Sequence, residues 1–85
     1  MSWYKAMYYP RNVAYIWAED ILLALERCSI QGEISRKSIS AIRVLTTAEA
    51  STLEKALQDD RGWSVRSAKM EIVKYNMNGP KPAPV

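Results

Sequence analysis

The chain has 85 residues, a formal net charge of +3, no His and a single Cys. This length allows one domain. Without His there is no Ser–His or Cys–His pair and no imidazole general base. One thiol can supply neither a structural zinc site nor an internal disulfide. We therefore expect a non-enzymatic protein with no catalytic residues, no metal and no cofactor.

Hydropathy and the two ends of the chain predict its organisation and location. The longest apolar run, residues 13–18, is far shorter than the roughly 20 residues that span a bilayer. The N-terminus lacks the apolar stretch of a signal peptide. We expect a cytoplasmic protein without a membrane partner. Residues 1–78 are predicted to form the compact domain. Residues 79–85, with three prolines, are predicted to form a flexible extended tail.

The first half of the chain predicts a strand followed by a long helix. Aromatic residues are concentrated in residues 3–9 and favour a short strand that ends before Pro10. Asn12 is a suitable N-cap for a helix that extends to about Cys28, because apolar residues recur there at helical spacing. Apolar residues occupy more than one side of this predicted helix, which indicates that the helix is buried on several sides.

The segment 35–45 is ambiguous between helix and strand. A helix capped by Ser35 would place Ala41 and Leu45 on one face. A strand would use the alternation of apolar residues and the three β-branched aliphatic residues of the segment. Propensity does not decide between the two structures.

A capping box gives the firmest helix signal. Thr46 is followed three residues later by Glu49, so the two side chains can satisfy each other's free backbone N–H groups. A helix is predicted from there to about Gln58. The segment 63–76 is again open, either a hairpin or a helix capped by Ser64.

The stretch 45–57, LTTAEASTLEKAL, followed by Gly62 and Trp63, resembles the recognition-helix region of winged helix-turn-helix DNA-binding domains. Over residues 13–76 this resemblance implies an α+β, helix-rich, winged-helix-like fold, with a helix over 35–45 and a wing over 63–76. The alternative is a ferredoxin-like βαββαβ sandwich. Its strands would lie near 3–9, 28–34, 38–45 and 64–75, and its helices near 12–28 and 46–58.

The charge is unevenly distributed. Residues 1–32 hold three basic and three acidic residues, and residues 33–62 hold five of each. Residues 63–85 hold four basic residues and one acidic residue, so the whole excess lies in this last segment. Under the winged-helix interpretation, a basic wing and an outward helix face would contact DNA. The predicted nucleic-acid-binding residues are Arg36, Lys37, Arg43, Ser51, Thr52, Lys55, Arg66, Lys69 and Lys74. Glu49 and Glu54 argue against this, because a phosphate backbone would repel them.

The aromatic residues suggest a second type of surface. Six of the eight lie in the first 17 residues, and all eight are Tyr or Trp. Such side chains suit interfaces that are apolar in the centre and wet at the edge. The predicted protein-interface residues are Trp3, Tyr4, Tyr8 and Tyr9, with another protein or a second copy of the chain as the partner.

Two functional hypotheses follow. The first is a small regulatory protein that contacts DNA through a helix-turn-helix and a basic C-terminal wing, as transcription regulators do. The second is a protein-binding inhibitor or adaptor, of the kind that phages and mobile elements encode, that uses its N-terminal aromatic surface. Both are non-enzymatic binding functions.

Overall fold

The computed structural model describes residues 1–61, 71–77 and 83–85. Four strands form a single antiparallel sheet in the order β3-β1-β2-β4. A short 3-10 turn, Arg36–Ser38, precedes β3. In chain order the strands and α-helices are β1 (Ser2–Tyr8), β2 (Asn12–Ala18), α1 (Ile21–Ile30), β3 (Ile39–Val44), α2 (Thr47–Arg61) and β4 (Ile72–Asn76).

β1 and β2 form a hairpin, so the prediction of a helix from Asn12 was wrong in its first half. Residues 12–18 pair with β1 from Tyr8↔Asn12 to Ser2↔Ala18. The β-branched and aromatic residues of this segment favour an extended backbone. The apolar residues on several sides belong to a strand that is buried on both faces. Helix α1 begins only after Asp20, whose carboxylate accepts the Leu23 N–H at 2.8 Å.

The two helices lie against opposite faces of the sheet. The face against α1 carries the small residues Ala6, Ala14 and Ala18, which pack with Ala24 and Cys28 of that helix. The other face carries large side chains, which pack with α2. This second cluster consists of Trp3, Val13, Tyr15, Leu45, Leu53, Leu57 and Val73. The small residues allow α1 to approach its face closely, whereas the aromatic face holds α2 farther out.

The capping box at the start of α2 is confirmed. The Glu49 N–H donates to the Thr46 hydroxyl at 3.2 Å, and the Thr46 N–H donates to the Glu49 carboxylate at 3.1 Å. Farther along the helix, Leu53 and Leu57 lie one turn apart and are fully buried.

The winged-helix-like, helix-rich prediction is wrong. The segment 35–45 contains the strand β3, and four strands and two α-helices make the domain a small α+β protein. The ferredoxin-like alternative also fails, because two strands precede the first helix and no strand lies at 28–34. Within the described residues the order is therefore ββαβαβ. Of the predicted wing, residues 63–70 lie outside the described residues, and the later part contains β4.

The end of the chain contacts the aromatic face. Of the predicted tail 79–85, the structure describes residues 83–85, and Ala83 and Val85 pack against the cluster beneath α2. The Val85 N–H donates to the Tyr15 hydroxyl at 3.2 Å, and this hydroxyl donates to the Val85 carbonyl. In the parts of the chain that the structure describes, no helix is both long and apolar enough to cross a membrane.

The packing of α2 gives a first prediction. Leu57→Ala should lower the free energy of unfolding by about 2–5 kcal/mol, because it leaves a cavity among fully buried side chains. Leu22→Ala makes the same change on α1, where the side chain is 71% exposed, and should cost less than about 1 kcal/mol. Urea denaturation of both variants measures the difference. Equal losses would contradict this account of the core.

Candidate functional site

A cleft of about 510 Å3 opens at the end of the sheet where the β1–β2 hairpin turns. Residues of the hairpin form the base and one rim of the cleft. Ser38 and Ser40, which lie just before and within β3, form another part of its lining. Met77, directly after β4, contributes from the opposite edge strand. The lining residues are Lys5, Met7, Tyr8, Tyr9, Pro10, Arg11, Asn12, Val13, Ser38, Ser40 and Met77.

The cleft includes side chains from the sheet face that packs against α2. Met7 pairs with Val13 in the hairpin, so both side chains lie on the face that α2 covers. Val13 is buried, whereas Met7 is 47% exposed. Tyr9 in the turn is 78% exposed, and Met77 is 47% exposed. The site therefore combines three accessible large apolar side chains in one concave surface.

The charge of the cleft is positive. Among the described residues of the lining, Lys5 and Arg11 are the two charged ones, and none is Asp or Glu. Within residues 1–61, 71–77 and 83–85, neither cation forms an ion pair. Ser38 and Ser40 add hydroxyl groups, although the Ser40 hydroxyl already donates to the Met7 carbonyl at 3.1 Å. The cleft therefore favours a ligand that carries both apolar and anionic groups.

The four aromatic residues predicted to form an interface do not share one surface. Trp3 is buried in the cluster beneath α2, with its ring 5.3 Å from that of Trp17. Tyr4 is half-buried against the cluster beneath α1. Tyr8 packs against that cluster too, and burial raises the pKa of its hydroxyl, with a smaller contribution from nearby Cys28. Only Tyr8 and Tyr9 line the cleft.

The residues predicted to bind nucleic acid lie on four separate elements. Arg36 and Lys37 belong to the 3-10 turn, Arg43 to β3, and Ser51, Thr52 and Lys55 to α2. Lys74 lies on β4, and its ammonium group donates to the Gly32 carbonyl at 2.9 Å. Arg66 and Lys69 lie outside the described residues. The described structure does not place these residues as the winged-helix interpretation requires.

Arg43 is engaged within the protein by Glu49. Its guanidinium donates two hydrogen bonds to the carboxylate, at 2.8 and 2.7 Å. This pairing, followed by the hydrogen bond from the Thr46 N–H, lowers the pKa of Glu49 from 4.5 to about 2. The same ion pair raises the pKa of Arg43. A phosphate ligand would have to displace Glu49 in order to use this cation fully.

Sequence reasoning missed most of the cleft. It identified Tyr8 and Tyr9 but not Lys5, Met7, Arg11 or Met77. The available signal was the Tyr9-Pro10-Arg11 turn, since prolines favour turns and turn residues are exposed. The alternation of Lys5 and Met7 on one face of a strand was a second signal. The local sequence around Met77 does not indicate a site. Met77 reaches the cleft only through the pairing of β4 with β2, which joins distant parts of the chain.

Two further observations concern metal ligands and the single thiol. No group of three or more His, Cys, Asp or Glu side chains suited to a metal occurs among the described residues. Cys28 is fully buried, and this burial raises the pKa of its thiol, so the reactive thiolate is disfavoured.

Comparisons of the chain with protein-family models, with curated proteins and with solved structures found no match.

The Arg43–Glu49 pair gives a prediction about pH. Because the pKa of Glu49 is lower in the folded state, its ionised form stabilises the fold above about pH 4.5. This contribution is lost as the pH falls from 4.5 towards 2. Arg43→Gln should move the pKa of Glu49 back towards 4.5, and the stability of this variant should vary less with pH across that window. A carboxyl NMR titration measures the pKa directly, with Lys55→Gln as a control. An unchanged pKa of Glu49 in Arg43→Gln would contradict the assignment.

Proposed function

We propose that this protein is a non-enzymatic protein-binding module that holds an acidic, partly apolar segment of another protein in the hairpin cleft. The observation that carries this proposal is the composition of the cleft, whose described residues combine exposed large apolar side chains with two cations and include no acidic residue. Such a module would act as an inhibitor or adaptor by occupying a surface of its partner.

The size and shape of the cleft support a peptide-sized ligand. Its volume of about 510 Å3 lies within the range of sites that enclose a few side chains or a small molecule. Tyr9 offers a broad ring with a polar end, and Met7 and Met77 offer flexible surfaces that adapt to different apolar groups. These residue types are enriched in protein interfaces.

The charge of the cleft supports an acidic partner. Arg11 is exposed in the turn, and Lys5 is half-buried on the wall of the cleft. Two cations that form no ion pair with the described part of the chain attract a carboxylate and repel basic segments, which contributes specificity and speeds association. A nucleic acid would gain only two phosphate contacts here, whereas stable binding to DNA uses several.

A peptide selection tests the proposal. Wild-type protein is used to select from a displayed library of short random peptides, and the enriched peptides are resynthesised and measured by fluorescence anisotropy. We expect enrichment of Asp or Glu together with large apolar residues. Arg11→Glu and Tyr9→Ala should each weaken binding by at least about tenfold, because one reverses a charge at the site and the other removes a ring that is 78% exposed.

Lys55→Glu is the matched control for charge. It makes the same reversal on an exposed residue of α2 outside the cleft lining, and should change the affinity by less than about twofold. Circular dichroism checks that each variant is folded. Equal binding by wild type, Arg11→Glu and Tyr9→Ala would place the interaction elsewhere and overturn the proposal. Enrichment of basic peptides would do the same.

A further inference from the structure

Within the described residues no strand pairs with the outer edge of β3, although the Arg43 guanidinium donates to the Val44 carbonyl there at 3.4 Å. The sheet order places β3 at one end, with β1 on its inner side. The Leu45 N–H donates to the Trp3 carbonyl at 2.8 Å, which fixes the direction of the neighbouring backbone groups. Hydrogen-bonded residues alternate along an antiparallel strand, so Arg43 directs its backbone groups towards β1. Ile42 and Val44 therefore direct their N–H and C=O groups outward.

The side chains of this edge do little to prevent pairing. Natural edge strands are commonly protected by proline or by free charges. β3 contains no proline, and the charge of its one ionised residue, Arg43, is neutralised by Glu49. Val44 is 51% exposed and Ile42 is half-buried, so the strand also presents apolar surface beside its outward backbone groups.

We propose that β3 pairs antiparallel with β3 of a second copy of the chain, which joins two four-stranded sheets into one continuous sheet across a two-fold axis. Ile42 of each copy forms a hydrogen-bonded pair with Val44 of the other. The axis then passes between the two Arg43 residues. This interface uses the same residues from both copies, as a two-fold dimer requires.

The side chains agree with this register. On one face, Ile42 of each copy lies beside Val44 of the other, so the exposed Val44 gains an apolar neighbour across the interface. On the other face, the two Arg43 residues face each other, and each already carries its own Glu49 carboxylate. Two cations and two anions thus lie around the two-fold axis, and each Glu49 can attract the Arg43 of the second copy. This charge complementarity favours a second copy of the chain over an unrelated strand.

The proposal does not depend on a ligand of the hairpin cleft, and its test needs only the purified chain. Sedimentation velocity measures the mass of the wild type, which should be twice the 9.7 kDa of the chain. Val44→Pro removes one outward N–H that β1 does not use, and proline is tolerated at such edge positions. This variant should weaken dimerisation by at least about tenfold while its circular dichroism spectrum stays that of the wild type. Val44→Ala keeps the N–H and should remain largely dimeric.

A cysteine at position 43 tests the register without disturbing the backbone. Directly opposed residues of a non-hydrogen-bonded pair have Cα atoms about 4.5 Å apart, within the range of a disulfide. Arg43→Cys should therefore give a covalent dimer on a non-reducing gel when oxygen oxidises the two thiols. Lys55→Cys serves as the control on the exposed surface of α2. The wild type should stay uncrosslinked, because Cys28 is fully buried.

Four results would overturn the proposal. They are a monomeric wild type at all concentrations, a Val44→Pro variant that dimerises like the wild type, an equal loss of dimer in Val44→Ala, and equal crosslinking of the Arg43→Cys and Lys55→Cys variants. A failure here would leave the hairpin cleft untouched, since peptide binding is measured on different residues.

Discussion

β2 has a helix against each of its faces, and five of its seven residues are at most 2% exposed. A strand buried in this way must lie inside the sheet, with a partner on each side that satisfies its backbone N–H and C=O groups. β1 and β4 are these partners, and β3 extends the sheet beyond β1. The layered arrangement and the position of β2 between β1 and β4 follow from the burial of this strand.

The two faces of the sheet carry side chains of different size, and each face packs against one helix. Alanines line the face against α1, and Gly32 continues this close approach just after the helix. A Cβ atom on Gly32 would lie 2.6 Å from Ile72 Cδ1 and 2.8 Å from the Cys28 carbonyl oxygen, so only glycine fits there. The opposite face has Trp3 and Tyr15 instead, and α2 fills the remaining space with Leu53 and Leu57.

The hairpin cleft lies at the end of the sheet where the β1–β2 hairpin turns. The sheet continues beyond the buried leucines, and its last side chains on that face, with the turn at Tyr9, are left accessible. Binding sites commonly occur where rigid elements position exposed turn residues. The proposed function uses this surface, and the proposed dimer uses the edge of β3, where backbone groups rather than side chains provide most of the contact.

Local signals of the sequence determined local features. The capping box of Thr46 and Glu49 located the start of α2, because its hydrogen bonds join residues three positions apart. The aromatic segment before Pro10 indicated β1, and the lack of His removed the common catalytic pairs.

Tertiary structure decided the rest. The apolar run at residues 13–18 fits either a helix buried on several sides or a strand buried on both faces. The choice between helix and strand is made by the tertiary structure, in which a helix covers each face of the sheet. The same limit applied to residues 35–45, since β1 supplies the hydrogen bonds that make β3 a strand. The cleft joins residues separated by up to 72 positions, from Lys5 to Met77, and strand pairing alone brings them together.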